Sequence, residues 1–487
     1  MKGTGILKAF LLVLCLCLLV LLLPAPAPGL TYPSNFRFIE VPDPLSGDNP
    51  RYPLIPLATP APGASYYDPR FGTVCTRITQ KPLVRHEYSR IDPCNRDQSR
   101  ILLQDISSGT YLIYRTKPLP CDQAGNLVRT ITGVQEVNWA GEFRWDPEDV
   151  NLLWGLRDFS IITLKVDTGA VTVIKDFTKD ATMGLIIKAN PLLYRITNMD
   201  EGESSRDKRF WVFALQNGDD PAHPEEAYVF KYLFTWDRLQ NKVLGTYKLP
   251  LIRGQNLDWV GMSTLGNWVV IGGGPLDSDP TGWGLMLADK GFTVFHQLAV
   301  NTAHADVGLD TAGKEVIVMQ NSNTDYVDQI PLDLKVTPVN APGDYAKSII
   351  KPIVRLYYND SSPIGLKSGI HVSCNYPGYA LISTTIPPAT PEQNWLDRGI
   401  ILVRLDPNKA RAVYLAKVYN TTSQYQEETH GSITNDGSKV VWVCNWGNYV
   451  PEPGLPKLTL TQLEMPPQWE RQFLPPLTPI LPLLLGD

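Results

Sequence analysis

His430-Gly431-Ser432-Ile433-Thr434-Asn435-Asp436-Gly437-Ser438-Lys439-Val440-Val441-Trp442-Val443 is the stretch whose reading decides the fold. A short strand enters a polar turn containing Gly, and a β-branched strand leaves it. The same phrase runs from Asp306 through Asp310-Thr311-Ala312-Gly313-Lys314 to Val318. It runs again from Trp259 through Ser263-Thr264-Leu265-Gly266-Asn267 to Ile271. This is a hairpin written repeatedly, at a spacing of about 45 to 65 residues, the blade period of a β-propeller.

Working outward, seven blades can be counted. The first centres on Tyr88 to Pro93, Arg100 to Leu103 and Thr110 to Tyr114. The second centres on Phe143 to Pro147, Leu152 to Trp154, Ile161 to Leu164 and Val171 to Ile174. The third is degenerate, with strands at Arg209 to Phe213, Ala227 to Phe230 and Val243 to Tyr247. The fourth and fifth begin at Trp259 and Asp306. The sixth takes Ile370 to Cys374, Tyr379 to Ser383 and Ile400 to Leu405, and the seventh begins at His430. A blade cannot cover its own apolar faces, so radial stacking must bury them. The strand at Thr73 to Ile78 is expected to complete the last blade and close the ring. Trp145, Trp154, Trp211, Trp268 and Trp442 read as packing between blades. No helical periodicity is expected in the body of the chain.

The expected class is therefore all-β, a seven-bladed β-propeller over residues 66–465. An extended Pro-rich arm (30–65) precedes it and a Pro/Leu-rich tail (466–487) follows. Residues 1–29 read as a signal peptide: Lys2 and Lys8 precede the apolar run Phe10 to Leu23, and small residues follow. The run is short for a membrane span, which needs about 20 apolar residues. An uncleaved anchor is the rival reading, and either one puts the body outside the cytoplasm, secreted or periplasmic. A net charge of -5 argues against a nucleic-acid partner. Five cysteines follow the signal, with Cys94 and Cys121 the expected disulfide pair. Asn359 and Asn420 stand in glycosylation sequons. Gly272-Gly273-Gly274-Pro275 reads as a loop.

In a propeller the innermost strands line a channel, and residues at their starts converge on one mouth. His86, Tyr88, Arg90, Arg144, Trp259, His304, Asp306, His371 and His430 hold that position. Of the chain's six histidines, only His223 and His296 fall elsewhere. Three readings stay open. Imidazoles of His304, His371 and His430, with Asp306 or Cys374, could hold zinc or manganese. His86, Tyr88, Arg90 and Arg144 supply the types needed to eliminate across a uronate: arginine for the carboxylate, histidine as base, tyrosine as acid. The plainest reading has these side chains satisfying backbone carbonyls, or binding a ligand through Trp259 and Asp306 without catalysis.

The phrases Arg90-Ile91-Asp92-Pro93, His304-Ala305-Asp306-Val307-Gly308, His371-Val372-Ser373-Cys374 and His430 to Gly437 with Asn445-Trp446-Gly447 resemble secreted bacterial seven-bladed propellers. These are the TolB-like and WD40-like repeat proteins and the oligogalacturonate and ulvan lyases. The resemblance covers about residues 70 to 470. It implies either a ligand-binding or interaction scaffold, or a polysaccharide lyase acting by β-elimination. Its implied partners are an acidic polysaccharide or an envelope protein, and its implied metal is held by a histidine cluster.

Overall fold

The computed structural model describes residues 30–473, except 132–141, 200, 274–283, 301–303, 322, 357–369, 385–393, 407, 423–424 and 448–456. The segment read as a signal peptide, most of the tail and the Asn359 sequon lie outside the described residues.

Seven antiparallel sheets of four or five strands follow one another around a ring. The quoted phrase forms the hairpin expected of it in blades 4, 5 and 7. Gly266, Gly313 and Gly437 take φ of 75°, 76° and 66° in the three turns, a left-handed conformation that costs glycine little. The Asp310 carboxylate accepts from the backbone N–H groups of Ala312 and Lys314 at 2.8 and 2.9 Å, fixing that turn. Period-2 alternation then sends successive side chains to opposite faces of the sheet. In the strand Lys439–Cys444, Val440 and Trp442 enter the cluster against blade 6. Val441 and Val443 enter the cluster against blade 1. Each of the seven described apolar clusters lies between two neighbouring blades. Truncating Trp442, which is 1% exposed, to alanine would cost about 3–5 kcal/mol.

The ring closes as the sequence leads one to expect. Val74–Arg77 pairs with Thr459–Glu464, placing Cys75 opposite Leu463 and Arg77 opposite Thr461. A further strand, Ser65–Tyr67, covers that edge. Ile39–Glu40 adds a fifth strand to blade 6 through Tyr414 and Val413. The Tyr32 hydroxyl reaches the Glu464 carbonyl at 2.6 Å. Trp469 and Phe473, at the start of the tail, are buried against blades 6 and 7.

Several expectations need correction. Blade 3 is complete: its inner strand Leu193–Thr197 was missed because a long connection, rather than a Gly turn, joins it to Phe210–Asn217. The inner strand of blade 1 is only Val84–Arg85, and residues 86–93 run on irregularly toward Pro93. Among the described residues two short α-helices occur, Met183–Ala189 and Leu251–Gln255. Cys94 and Cys121 form no disulfide. Both are buried thiols in the cluster between blades 7 and 1, and the other three described cysteines are also free and buried. The Asn420 amide is buried and donates to the Glu427 carbonyl, which closes that sequon to modification. Gly272 lies in a strand, and a Cβ there would meet the Trp259 indole at 2.4 Å.

Candidate metal centre and channel

The inner strands bring the histidines of blades 5, 6 and 7 together. The rings of His304 and His371 lie 4.5 Å apart, and those of His371 and His430 lie 4.0 Å apart. Ligand atoms of His304, His371 and Glu428 all fall within 4.8 Å of one another. His371 Nε2 meets Glu428 Oε2 at 2.7 Å. The Nδ1 atoms of His304 and His371 are buried with no hydrogen-bond partner. Orphaned buried nitrogens are costly unless something supplies the missing partner.

His430 stands beside this trio. Arg85 donates to its Nδ1, and an arginine only donates. The ring proton therefore sits on Nε2, which faces Glu428 Oε2 at 3.4 Å. His86 is one step further back: its Nε2 donates to the His430 carbonyl at 2.6 Å, and its ring is 1% exposed. The two remaining histidines lie outside the group. His296 donates to the Val336 carbonyl, and His223 is exposed near Glu225.

Burial sets the electrostatics. It lowers His304 to about 3, assisted by His371. It holds His371 and His86 well below the usual imidazole range, assisted by Arg85. The rings are therefore neutral near pH 7, the form that ligates a metal. Burial also raises the Glu428 carboxyl, while His304 and Arg85 pull it down.

Deeper in the channel, Arg90 lies over the Trp259 ring at 4.4 Å and pairs with Glu201 at 2.9 Å. Tyr88 packs edge-on to His371 at 5.4 Å, and burial keeps its hydroxyl protonated. Tyr88, Glu201, Arg85 and Tyr425 line a cavity of about 240 Å³ beside the histidines. Arg144 pairs with Glu87 at 3.2 Å and Glu203 at 3.4 Å. Trp259 and Asp306 are buried in the wall. Asp306 accepts from the Cys374 N–H at 2.6 Å, and burial pushes it up to about 8.

The nine residues singled out in the sequence lie in the inner strands or the segments flanking them, at different depths. The four histidines gather at the end where the inner strands begin. Arg144 lines a separate cavity at the far end, beside the turns that leave those strands. Glu428, Glu201 and Glu203 were missed. Glu428 lies two residues before His430 in Glu427-Glu428-Thr429-His430, so an acid beside a repeat-position histidine was the available signal. The other two follow the unrecognised inner strand of blade 3.

Among solved structures, the chain is similar to an oligogalacturonate lyase from Vibrio parahaemolyticus, with a TM-score of 0.51 and 10% identity. The match covers 83% of this chain and 97% of that one. It is also similar to the β-propeller domain of Cps50 (Swd1) from Myceliophteria thermophila, with a TM-score of 0.38 and 10% identity over 80% of this chain and 98% of that one. A luciferin-regenerating enzyme gives a TM-score of 0.38 at 9% identity over 81% and 96%. No protein-family model matches the chain, and no curated protein matches it in sequence. At 10% identity the likeness to the Vibrio protein extends to fold alone, the seven-bladed propeller described above. Among the described residues no helix is long and apolar enough to cross a membrane.

Proposed function

We propose that this propeller binds an acidic ligand through a divalent cation held by His304, His371 and Glu428. The observation that carries the reading is the convergence of three ligand atoms within 4.8 Å, with buried imidazole nitrogens left unpartnered. Ligand atoms of a tetrahedral ion with bonds of about 2.1 Å lie about 3.4 Å apart, so side-chain shifts of roughly an ångström would complete the shell. The mixed nitrogen and carboxylate donor set suits zinc or manganese. His430 and His86 act as supports: Arg85 orients His430 toward Glu428, and the His430 carbonyl holds His86. A bound cation would neutralise a ligand carboxylate. That assignment is favoured because Arg90 and Arg144, read from sequence as carboxylate binders, already pair with Glu201, Glu87 and Glu203. Tyr88 and Tyr425 would then present hydroxyl groups from the adjoining cavity.

Binding is preferred over catalysis for a physical reason. Elimination needs a base that reaches the substrate, and the buried, strongly depressed imidazole of His86 is a poor one. A uronate lyase remains the second reading. It is favoured by Tyr88, a protonated hydroxyl beside the histidines, and by the likeness in fold to the Vibrio oligogalacturonate lyase. In that reading the cation would neutralise the uronate, water would take the C5 proton, and Tyr88 would give its hydroxyl proton to the leaving oxygen. We place the protein outside the cytoplasm on the strength of the apolar run Phe10 to Leu23, where an acidic polysaccharide or an envelope protein would be its partner.

The test is calorimetry with oligogalacturonate and polyuronate panels, with Mn²⁺ or Zn²⁺ and again after chelation, read alongside the absorbance of unsaturated uronate. Metal-dependent binding without absorbance supports the binding centre. Metal-dependent absorbance supports the lyase. Binding unaffected by chelation would sink both.

A further inference from the structure

The opposite mouth of the channel holds a cavity of about 440 Å³, built where the turns leaving the inner strands converge. That volume fits a small organic molecule. Its wall is part apolar, from Ile91, Trp145 and Val307, and part strongly charged. The carboxylates there are already engaged within the protein. Asp92 accepts from the backbone N–H groups of Cys94 and Asn435 at 2.8 and 2.7 Å. Asp146 accepts from the Trp154 indole at 2.7 Å and from the Glu148 N–H at 2.8 Å. Asp436 accepts from Ser438, and Glu203 faces Arg144 at 3.4 Å.

The cations are not all answered. Lys208 is 7% exposed, and its ammonium makes no hydrogen bond or ion pair among the described residues. Its neighbouring ring, Trp211, lies 5.9 Å away. Its backbone takes φ of 56°, a left-handed conformation that costs a non-glycine residue energy and that accumulates at functional sites. Burial lowers its pKa; Glu203 and Asp146 pull it back up from beyond contact distance, and Arg144 and Arg206 push it further down. Arg206 donates to the Asn375 carbonyl and, at 3.1 Å, to the Asn435 amide oxygen, both neutral acceptors, while Glu203 and Asp92 act on it only at longer range.

We propose that this cavity is a second binding site, separate from the histidine centre, for a small organic carboxylate whose anionic group meets Lys208 and Arg206. A monoanion suits the site because one ammonium with no hydrogen-bond or ion-pair contact among the described residues stands among guanidinium groups that have such contacts. The apolar part of the wall would take the ligand's body.

The test uses full-length protein stripped with chelator, so that binding at the histidine centre is removed. Ligand-observed NMR titrations compare acetate, benzoate and galacturonate with acetamide, benzamide and galactose, and with inorganic phosphate. At least one carboxylate is expected to bind better than its neutral counterpart. Lys208→Gln is expected to weaken it about tenfold or more, the scale of a charge-assisted hydrogen bond, and Arg206→Gln to weaken it less. If Lys208→Gln fails to fold, Arg206→Gln decides alone. The proposal is overturned if no carboxylate outbinds its neutral counterpart, if the folded variants bind as the wild type does, or if phosphate binds more tightly than every carboxylate.

Discussion

The two mouths of one channel use opposite chemistry. At the end where the inner strands begin, neutral imidazoles and a carboxylate converge. At the end where the turns leave, an ammonium and a guanidinium face a cavity whose carboxylates are already engaged. Both ends are built from the same repeated hairpin, so the fold does not dictate the chemistry. The difference comes from position along the strand: residues just before it collect at one mouth and residues in the following turn at the other. Arg144 stands between the two, paired with Glu87, which lines the histidine-side cavity, and with Glu203, which lines the other.

Replacing His304 and His371 together by alanine breaks the comparison most sharply. Calorimetry with Zn²⁺ or Mn²⁺ should show binding at this centre abolished, while carboxylate binding at the far mouth changes less than about twofold, since distant sites act independently. Metal binding retained in the double variant would remove the basis for treating the ends as different.

Arg144→Ala attacks the connection itself. It leaves Glu87, 10% exposed in its side chain, without its buried partner. The expected loss is about 3–5 kcal/mol of unfolding free energy, the scale for breaking a buried ion pair, measured by urea denaturation. A loss below about 1 kcal/mol would mean that Glu87 is neutral in the folded state. Glu428→Gln is a smaller change, because both imidazoles remain: a drop of about 10–100-fold in cation affinity is expected, and an unchanged affinity would remove Glu428 from the centre.

The smallest effect is on acid stability. The imidazoles of His86, His304 and His371 are held neutral in the folded chain. Below about pH 6.5, the ordinary histidine value, the unfolded chain takes up protons that the folded one refuses. Stability is therefore full above that pH and falls as pH drops toward the folded values, about 3 for His304. Thermal unfolding in the presence of chelator should follow this slope, and His86→Gln should flatten it. An unchanged slope would show that His86 already takes its proton in the folded chain.

Much of the fold was legible because its signal is local and repeated. A Gly at positive φ between two apolar strands recurs in blades 4, 5 and 7, and the closing strand at Val74–Arg77 stands out as β-branched sequence ahead of the first blade. Where the local signal failed, so did the reading. The inner strand Leu193–Thr197 has no glycine turn after it, so Glu201 and Glu203 were not placed in the channel. The histidine cluster was legible because histidine is rare here and repeat position is a spatial coordinate. Glu428 was not, since acids are common and nothing in a single chain marks one as turned inward. Lys208 was hidden more deeply: a lysine in a long connection reads as solvated, and only the packing around it shows the residue to be buried in a cavity wall.

The central claim is most directly tested by counting metal. The full-length protein, purified without chelator and analysed by elemental mass spectrometry, should carry about one divalent transition-metal ion per chain, as one set of converging ligands requires, and the His304→Ala, His371→Ala variant should carry none. Equal metal content in the two proteins, or a chain that takes up neither zinc nor manganese when they are supplied, would contradict it.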